Sequence, residues 1–336
     1  MALKSGVDAV IELPPLFSLS SAEHFAFSSV YLLNATGIID CICFGSEDTD
    51  FNKIMRAADI LSNESEEFKT LLFEQLRLGK GYASARHHAA NIISGEHLPL
   101  DMPNCILAVE YLKALKRLKS RMTPFVSPHL ECDSNQYKSA SSIREAIFSG
   151  CFTASESCMP DECYQILRNS SAFTSINDFS LLLHQALITK TNHELSEIFE
   201  VSEGIQNRII SAAQSHYHIT EIIETAKTKR YTATRLQRVI MNTILGVTTN
   251  FFNKYSGKPP YIRLLGFNSQ KEYLVRQIVK NATLPVITNV KKDYERLLKE
   301  CPSAAEMLRF DMMASEIYGA ASKSPVNEFQ YQLVII

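Results

Sequence analysis

Tryptophan is absent from the 336 residues, and glycine and proline number only 12 each. So few chain breakers exclude a collagen-like or low-complexity chain. Neither sign of charge dominates: 34 Lys and Arg stand against 36 Asp and Glu, a formal net charge of −2. A general polycation that coats nucleic acid is thereby excluded, though a local basic patch is not. No run approaches the roughly 18 uncharged apolar residues of a membrane span. The start, Met1-Ala-Leu-Lys-Ser-Gly-Val-Asp8, carries one Lys and lacks the apolar core of a signal peptide. A cytoplasmic chain with no membrane partner is expected.

Several chemistries lack their motifs. There is no G-x-G-x-x-G, no Walker A sequence and no G-x-S-x-G, which argues against a dehydrogenase, a P-loop enzyme and an α/β-hydrolase. The nine histidines fit no H-E-x-x-H spacing. His87 and His88 are adjacent and cannot share a helix face, so neither a zinc site nor a structural metal is expected. The eight cysteines include one C-x-C and no C-x-x-C pair, and in a reducing compartment they read as buried thiols.

Apolar residues make up 46% of the chain and charged residues 21%, enough apolar material for a sizeable core. At roughly 150 residues per domain the length suggests two domains. Val7 to Pro14 reads as a strand stopped by two prolines. Residues 21–35 have helical apolar spacing, with Ser21 as a cap and Gly37 just past the end. Ile38 to Phe44 reads as a second strand. Strand, helix and strand at this spacing predict a βαβ unit and a parallel sheet. Residues 51–95 read as helical with one break near Gly79–Gly81, Asn104 to Lys119 as a helix, and Thr123 to Pro128 as a strand. After Gly150 the strand signals fade into a succession of helices, with late β-like runs at Tyr261–Phe267 and Leu284–Thr288. The expected division is an α/β unit over residues 1–155 and a mainly helical one over 156–336.

Four places carry candidate chemistry. Gly45 ends a strand at the edge where open α/β sheets bind ligands, and a residue without a side chain lets a base or ribose approach the backbone. The plain alternative is an ordinary turn, with Glu47 following on the loop. Asn104, near a helix start, could cap that helix or read a nucleotide edge. Ser139-Ala-Ser-Ser-Ile-Arg144 offers hydroxyls and free N–H groups at a helix start, with Arg144 one turn in. It suits either a phosphate or a well-capped surface helix. Lys227, Lys229, Arg230, Arg235 and Arg238 lie around Tyr231 with no acid between them. That pattern suits an RNA backbone, or simply a solvated face. A second basic run, Lys113, Lys116, Arg117, Lys119 and Arg121, is equally ambiguous.

In order, Val7-Asp-Ala-Val-Ile-Glu-Leu-Pro, Ser21-Ala-Glu-His-Phe-Ala, Phe44-Gly-Ser-Glu47, Pro103-Asn-Cys-Ile-Leu and Ser139-Ala-Ser-Ser-Ile-Arg run through the first half. Glu203-Gly-Ile-Gln-Asn-Arg, Lys227-Thr-Lys-Arg-Tyr-Thr and Leu265-Gly-Phe267 follow in the second. The series resembles the bacterial tRNA(Met) cytidine acetate ligase family over nearly the whole chain. The resemblance implies a Rossmann-like nucleotidyltransferase domain followed by a mainly helical tRNA-binding domain. It implies ATP, with Mg2+, and acetate forming acetyl-adenylate, and transfer of the acetyl group to the wobble cytidine N4 of elongator tRNA(Met). By position Gly45 and Asn104 match ATP-contacting residues of the family, and Arg144 matches its phosphate-side arginine; His129 and Ser139 join them as ATP candidates, and Lys227, Lys229, Arg230, Arg235 and Arg238 are the tRNA candidates.

The sequence departs from the family pattern in two places. The family begins with a strand and a His-x-Gly-His loop, on the order of 50 to 60 residues that have no counterpart before Met1. A truncated form, inactive on its own, is therefore expected. Where the family often has Lys-Arg, this chain has Pro128-His129, and His129 lacks the fork of an arginine. Two other readings share these residues: another adenylyltransferase of the same fold, and a non-catalytic tRNA-binding module.

Overall fold

A computed structural model describes residues 1–128, 140–151, 153, 156, 159–170 and 173–336. The described strands are β1 (Ala9–Glu12), β2 (Cys41–Ser46), β3 (Thr123–Pro128), β4 (Ile262–Phe267), β5 (Val286–Ile287) and β6 (Val334–Ile335). Among the described residues, helices before β3 include α1 (Ala22–Ala35), α2 (Phe51–Ser62), α3 (Glu66–Arg77), α4 (Tyr82–Ser94) and α5 (Pro103–Arg117).

β2 and β3 pair in parallel, in register from Cys41 opposite Thr123 to Ser46 opposite Pro128. Their inner face, Ile42 and Phe44, meets Ala108, Val109 and Leu112 of α5 in the first core, which α2, α3 and α4 enclose. The outer face is open, with Cys41 and Cys43 exposed. Cys151 is exposed too, so the expectation of uniformly buried thiols fails on the uncovered side of the sheet and in the loop after Phe148. The expected single break in residues 51–95 becomes two. Ser65 starts α3 by accepting from the Phe68 N–H at 3.1 Å, a cap that ends the preceding run.

The expected βαβ unit does not form. β1 pairs antiparallel with β4, Ala9 opposite Phe267 and Glu12 opposite Arg263. β5 and β6 pair in parallel with β4 in the same sheet, β5 at its Ile262–Arg263 end and β6 at its Gly266–Phe267 end. Pro14 and Pro15 end β1 and open a helical turn, Pro15–Ser18, which drives Leu16 and Phe17 into a core built with Tyr261, Leu297, Met307 and Leu308. Nothing local in residues 7–44 can announce a partner strand some 250 residues downstream; long-range burial overrides the nearby alternative.

α1 lies between the first core and the sheet of β4. Phe27 and Val30 belong to the first core, whereas Leu32 and Ala35 pack with Ile262 of β4. A helix apolar on two faces is buried on both. Helices Ser180–Thr189, Ile205–Ala213, Ile219–Ala226 and Ala233–Leu245 share a further core around Leu183, Ile209, Ile222 and Leu236. The mainly helical second half is as expected, and the two late β-like runs are β4 and β5.

Candidate functional site

Because β2 and β3 are parallel, their carboxyl ends share one edge, with Gly45 opposite Ser127. α5 starts at that edge. Its N-cap residue is Met102, whose side chain cannot cap, and Pro103 takes the first helical position. The free N–H groups of the first turn therefore need an acceptor from elsewhere. Glu47 supplies it. One carboxylate oxygen accepts from the Asn104 backbone N–H at 3.1 Å and from its side-chain amide at 2.9 Å. The other accepts from the Cys105 N–H at 2.9 Å. Ser46 Oγ lies 3.0 Å from the buried Cys105 thiol, which also accepts from the Asp48 N–H at 3.3 Å. The loop after β2 is thus stapled to the helix. Partial burial pushes the Glu47 carboxyl up, but the Asn104 and Cys105 hydrogen bonds outweigh it and hold the group below its ordinary value.

Asn104 is inside the helix, one residue past Pro103, rather than at the cap. The fold brings Gly45 and Asn104 to one edge, with Glu47 between them. Arg144 is exposed on the helix Ala140–Phe148, its guanidinium donating to Ser141 Oγ at 3.2 Å. His129 and Ser139 lie outside the described residues. Sequence reasoning passed over Cys105 and gave Glu47 only a place on the loop. The usable signal was a helix start with proline first and no capping side chain before it.

The basic run has acids around it in space that it lacks in sequence. Arg230 Nε donates to Glu203 at 2.7 Å, Arg238 Nε to Glu200 at 2.8 Å, and Lys227 pairs with Glu224. Arg235 donates to Ser202 Oγ at 2.6 Å and lies 5.6 Å from the Tyr231 ring centroid. Lys229 is exposed. Lys113, Lys116 and Arg117 of the second basic run line a cavity of about 490 Å³ between α1, α5 and the ends of α2 and α4, together with Arg86 and Glu110. There Glu110, 3% exposed, accepts from Arg86 at 3.1 Å and Lys113 at 2.7 Å, while Arg117 stacks on Phe27 at 4.3 Å. Its charges largely satisfy one another, and it is not the edge where Gly45 and Asn104 meet.

A second charge cluster holds the chain ends. Arg263 of β4 is 3% exposed and pairs with Glu12 of β1 at 2.9 Å and with Glu328. Tyr261 donates to Asp311, which is 1% exposed and whose carboxyl burial holds well above its ordinary value.

The HIGH Nucleotidyl Transferase family model matches residues 1–332. A tRNA(Met) cytidine acetate ligase of Thermoanaerobacter sp. (strain X514) is 37% identical over 339 aligned positions, covering 96% of this chain and 82% of that protein. The protein of that name from Acetivibrio thermocellus is 33% identical, covering 100% and 86%. Among solved structures, Thermotoga maritima TmcAL bound with alpha-thio ATP superposes with a TM-score of 0.91 at 26% identity, covering 100% of this chain and 86% of that one.

Proposed function

The chain belongs to the HIGH nucleotidyl transferase family and, within it, to the tRNA(Met) cytidine acetate ligases, and from that premise we propose that it binds ATP at the carboxyl edge of the β2–β3 pair and serves formation of N4-acetylcytidine at the wobble position of elongator tRNA(Met). An acetate oxygen attacks the α-phosphorus of ATP, the bond to pyrophosphate breaks, and acetyl-adenylate results. The cytidine N4 then attacks the acetyl carbon and loses a proton, and AMP leaves. Negative charge builds on phosphoryl oxygens in the first step, so fixed donors and cations at that point are the catalytic need.

The observation that carries the reading is the clamp of Glu47 on the start of α5. It fixes Asn104 at the same parallel-strand edge as Gly45, with a donor on one side and exposed glycine backbone on the other. The solved relative with an ATP analogue supports ATP as the ligand. Arg144 is the exposed cation proposed for the phosphates, with His129 and Ser139 completing the set. Glu47 is committed to helix N–H groups, so Mg2+ is expected to arrive on the triphosphate and its waters.

For tRNA, the proposed contacts are Lys227, Lys229, Arg230, Arg235 and Arg238. Surface ion pairs are worth only about 0–1 kcal/mol, so phosphates can displace Glu203 and Glu224 at little cost. Equilibrium dialysis against ATP tests the nucleotide site. The full chain should bind ATP, and Asn104→Ala should bind it at least about tenfold more weakly, or about 1.4 kcal/mol. Equal affinities would remove Asn104 from the site.

A further inference from the structure

The loop that delivers α5 to this edge carries a side-chain cluster the nucleotide reading does not use. His87 of α4, His97 and Asp101 each offer one ligand atom, and these atoms lie within 4.8 Å of one another. His87 and His97 have ring centroids 5.1 Å apart, and His97 Nε2 is 3.8 Å from Asp101 Oδ1. His87 Nε2 is buried without a hydrogen-bond partner, a cost that a bound ion would remove. The positions are 10 and 4 residues apart in sequence, which is why spacing rules passed over them.

We propose that His87, His97 and Asp101 form a binding site for a borderline divalent transition ion, Zn2+ foremost, which ties α4 to the loop before α5. The donor set decides the class. Two imidazoles and one carboxylate suit Zn2+, whereas Mg2+ requires oxygen ligands in octahedral array. Three protein ligands leave a fourth position for water. Tetrahedral zinc at about 2.0–2.1 Å from its ligands needs donor atoms about 3.4 Å apart. The cluster must therefore tighten by about an ångström, through His97 and Asp101, whose side chains are 63% and 50% exposed and free to turn.

Their backbone is already held. Leu98 and Leu100 are buried, and the Leu98 N–H donates to Asn91 Oδ1 at 2.9 Å. Gly95, in the left-handed conformation, turns the chain out of α4 to reach that point. Asp101 then stands three residues before Asn104, so the ion would stiffen the approach to α5 whatever nucleotide is bound there.

The test uses the full chain, stripped with a chelator and titrated with Zn2+ by calorimetry, beside His97→Ala and Asp101→Asn, both exposed enough to leave folding intact. One equivalent should bind to the parent chain. Its affinity should fall at least tenfold in His97→Ala and severalfold in Asp101→Asn, and Mg2+ should give no response. Bound Co2+ should show a tetrahedral visible spectrum without thiolate charge transfer. Amide exchange across residues 96–101 should slow with Zn2+ in the parent alone. Unchanged Zn2+ affinity in both variants, or a thiolate band, would overturn the proposal.

Discussion

Among single residues, buried and helix-end charges are held by the partners they find. Glu47 has its carboxyl held below the ordinary value by the α5 N–H groups. The stability it contributes is therefore complete above the ordinary carboxylate range and is lost as pH falls through its own lower value. Glu47→Gln should cost about 1–2 kcal/mol at neutral pH and flatten the acid limb of a denaturation series across that range. Asp311 has the opposite sign. Burial raises its value, so between the ordinary and the raised value the folded chain binds more protons than the unfolded one, and stability falls as pH rises through that interval. Asp311→Asn keeps an acceptor for Tyr261 and removes the titration. Urea unfolding at a series of pH values should show it losing less stability than the parent on the alkaline side. Arg263→Ala strands Glu12 and Glu328 and should cost about 3–5 kcal/mol.

At the scale of elements, α5 was legible from its apolar spacing, and β3 from a short run of Phe and Val between prolines. The pairing of β1 was not. Ala9–Glu12 and Cys41–Ser46 look alike as short strands separated by a helix, and only a buried strand at 262–267 decides that the first joins it. Likewise Glu200 and Glu203 lie 27 to 38 residues before the arginines they hold, so the basic run looks unpaired when read linearly. Asn104 was legible as a candidate; its holder, Glu47, was not, because the contact bridges 57 residues. The seating of residues 15–18 gives a direct check. Phe17 is 0% exposed within the core around Tyr261 and Met307. Phe17→Ala should lower unfolding stability by about 3–5 kcal/mol, and limited proteolysis should then cut within residues 245–312 rather than 51–117. Selective cleavage of 51–117 instead would mean that the turn supports the first core rather than the core around Tyr261.

For the whole molecule, α1 joins the first core to the sheet of β4 through a helix buried on both faces. Among the described residues no helix is long and apolar enough to cross a membrane. Attraction to RNA must be local on a chain of net charge −2. Converting Arg230, Arg235 and Arg238 together to Gln should weaken tRNA binding and reduce its salt slope by about 2, at roughly 0.7 per phosphate contact. Parallel slopes and equal affinity would mean that the run serves only Glu200 and Glu203. The nucleotide is placed at the carboxyl edge of β2 and β3 by the proposed function. A photoreactive ATP analogue, cross-linked to the full chain and mapped by mass spectrometry, tests it most directly. Label should fall on peptides spanning Cys41–Asp48 or Pro103–Glu110 and be competed away by ATP; competable label confined to residues 227–238 or to the cavity between α1 and α5 would contradict that position.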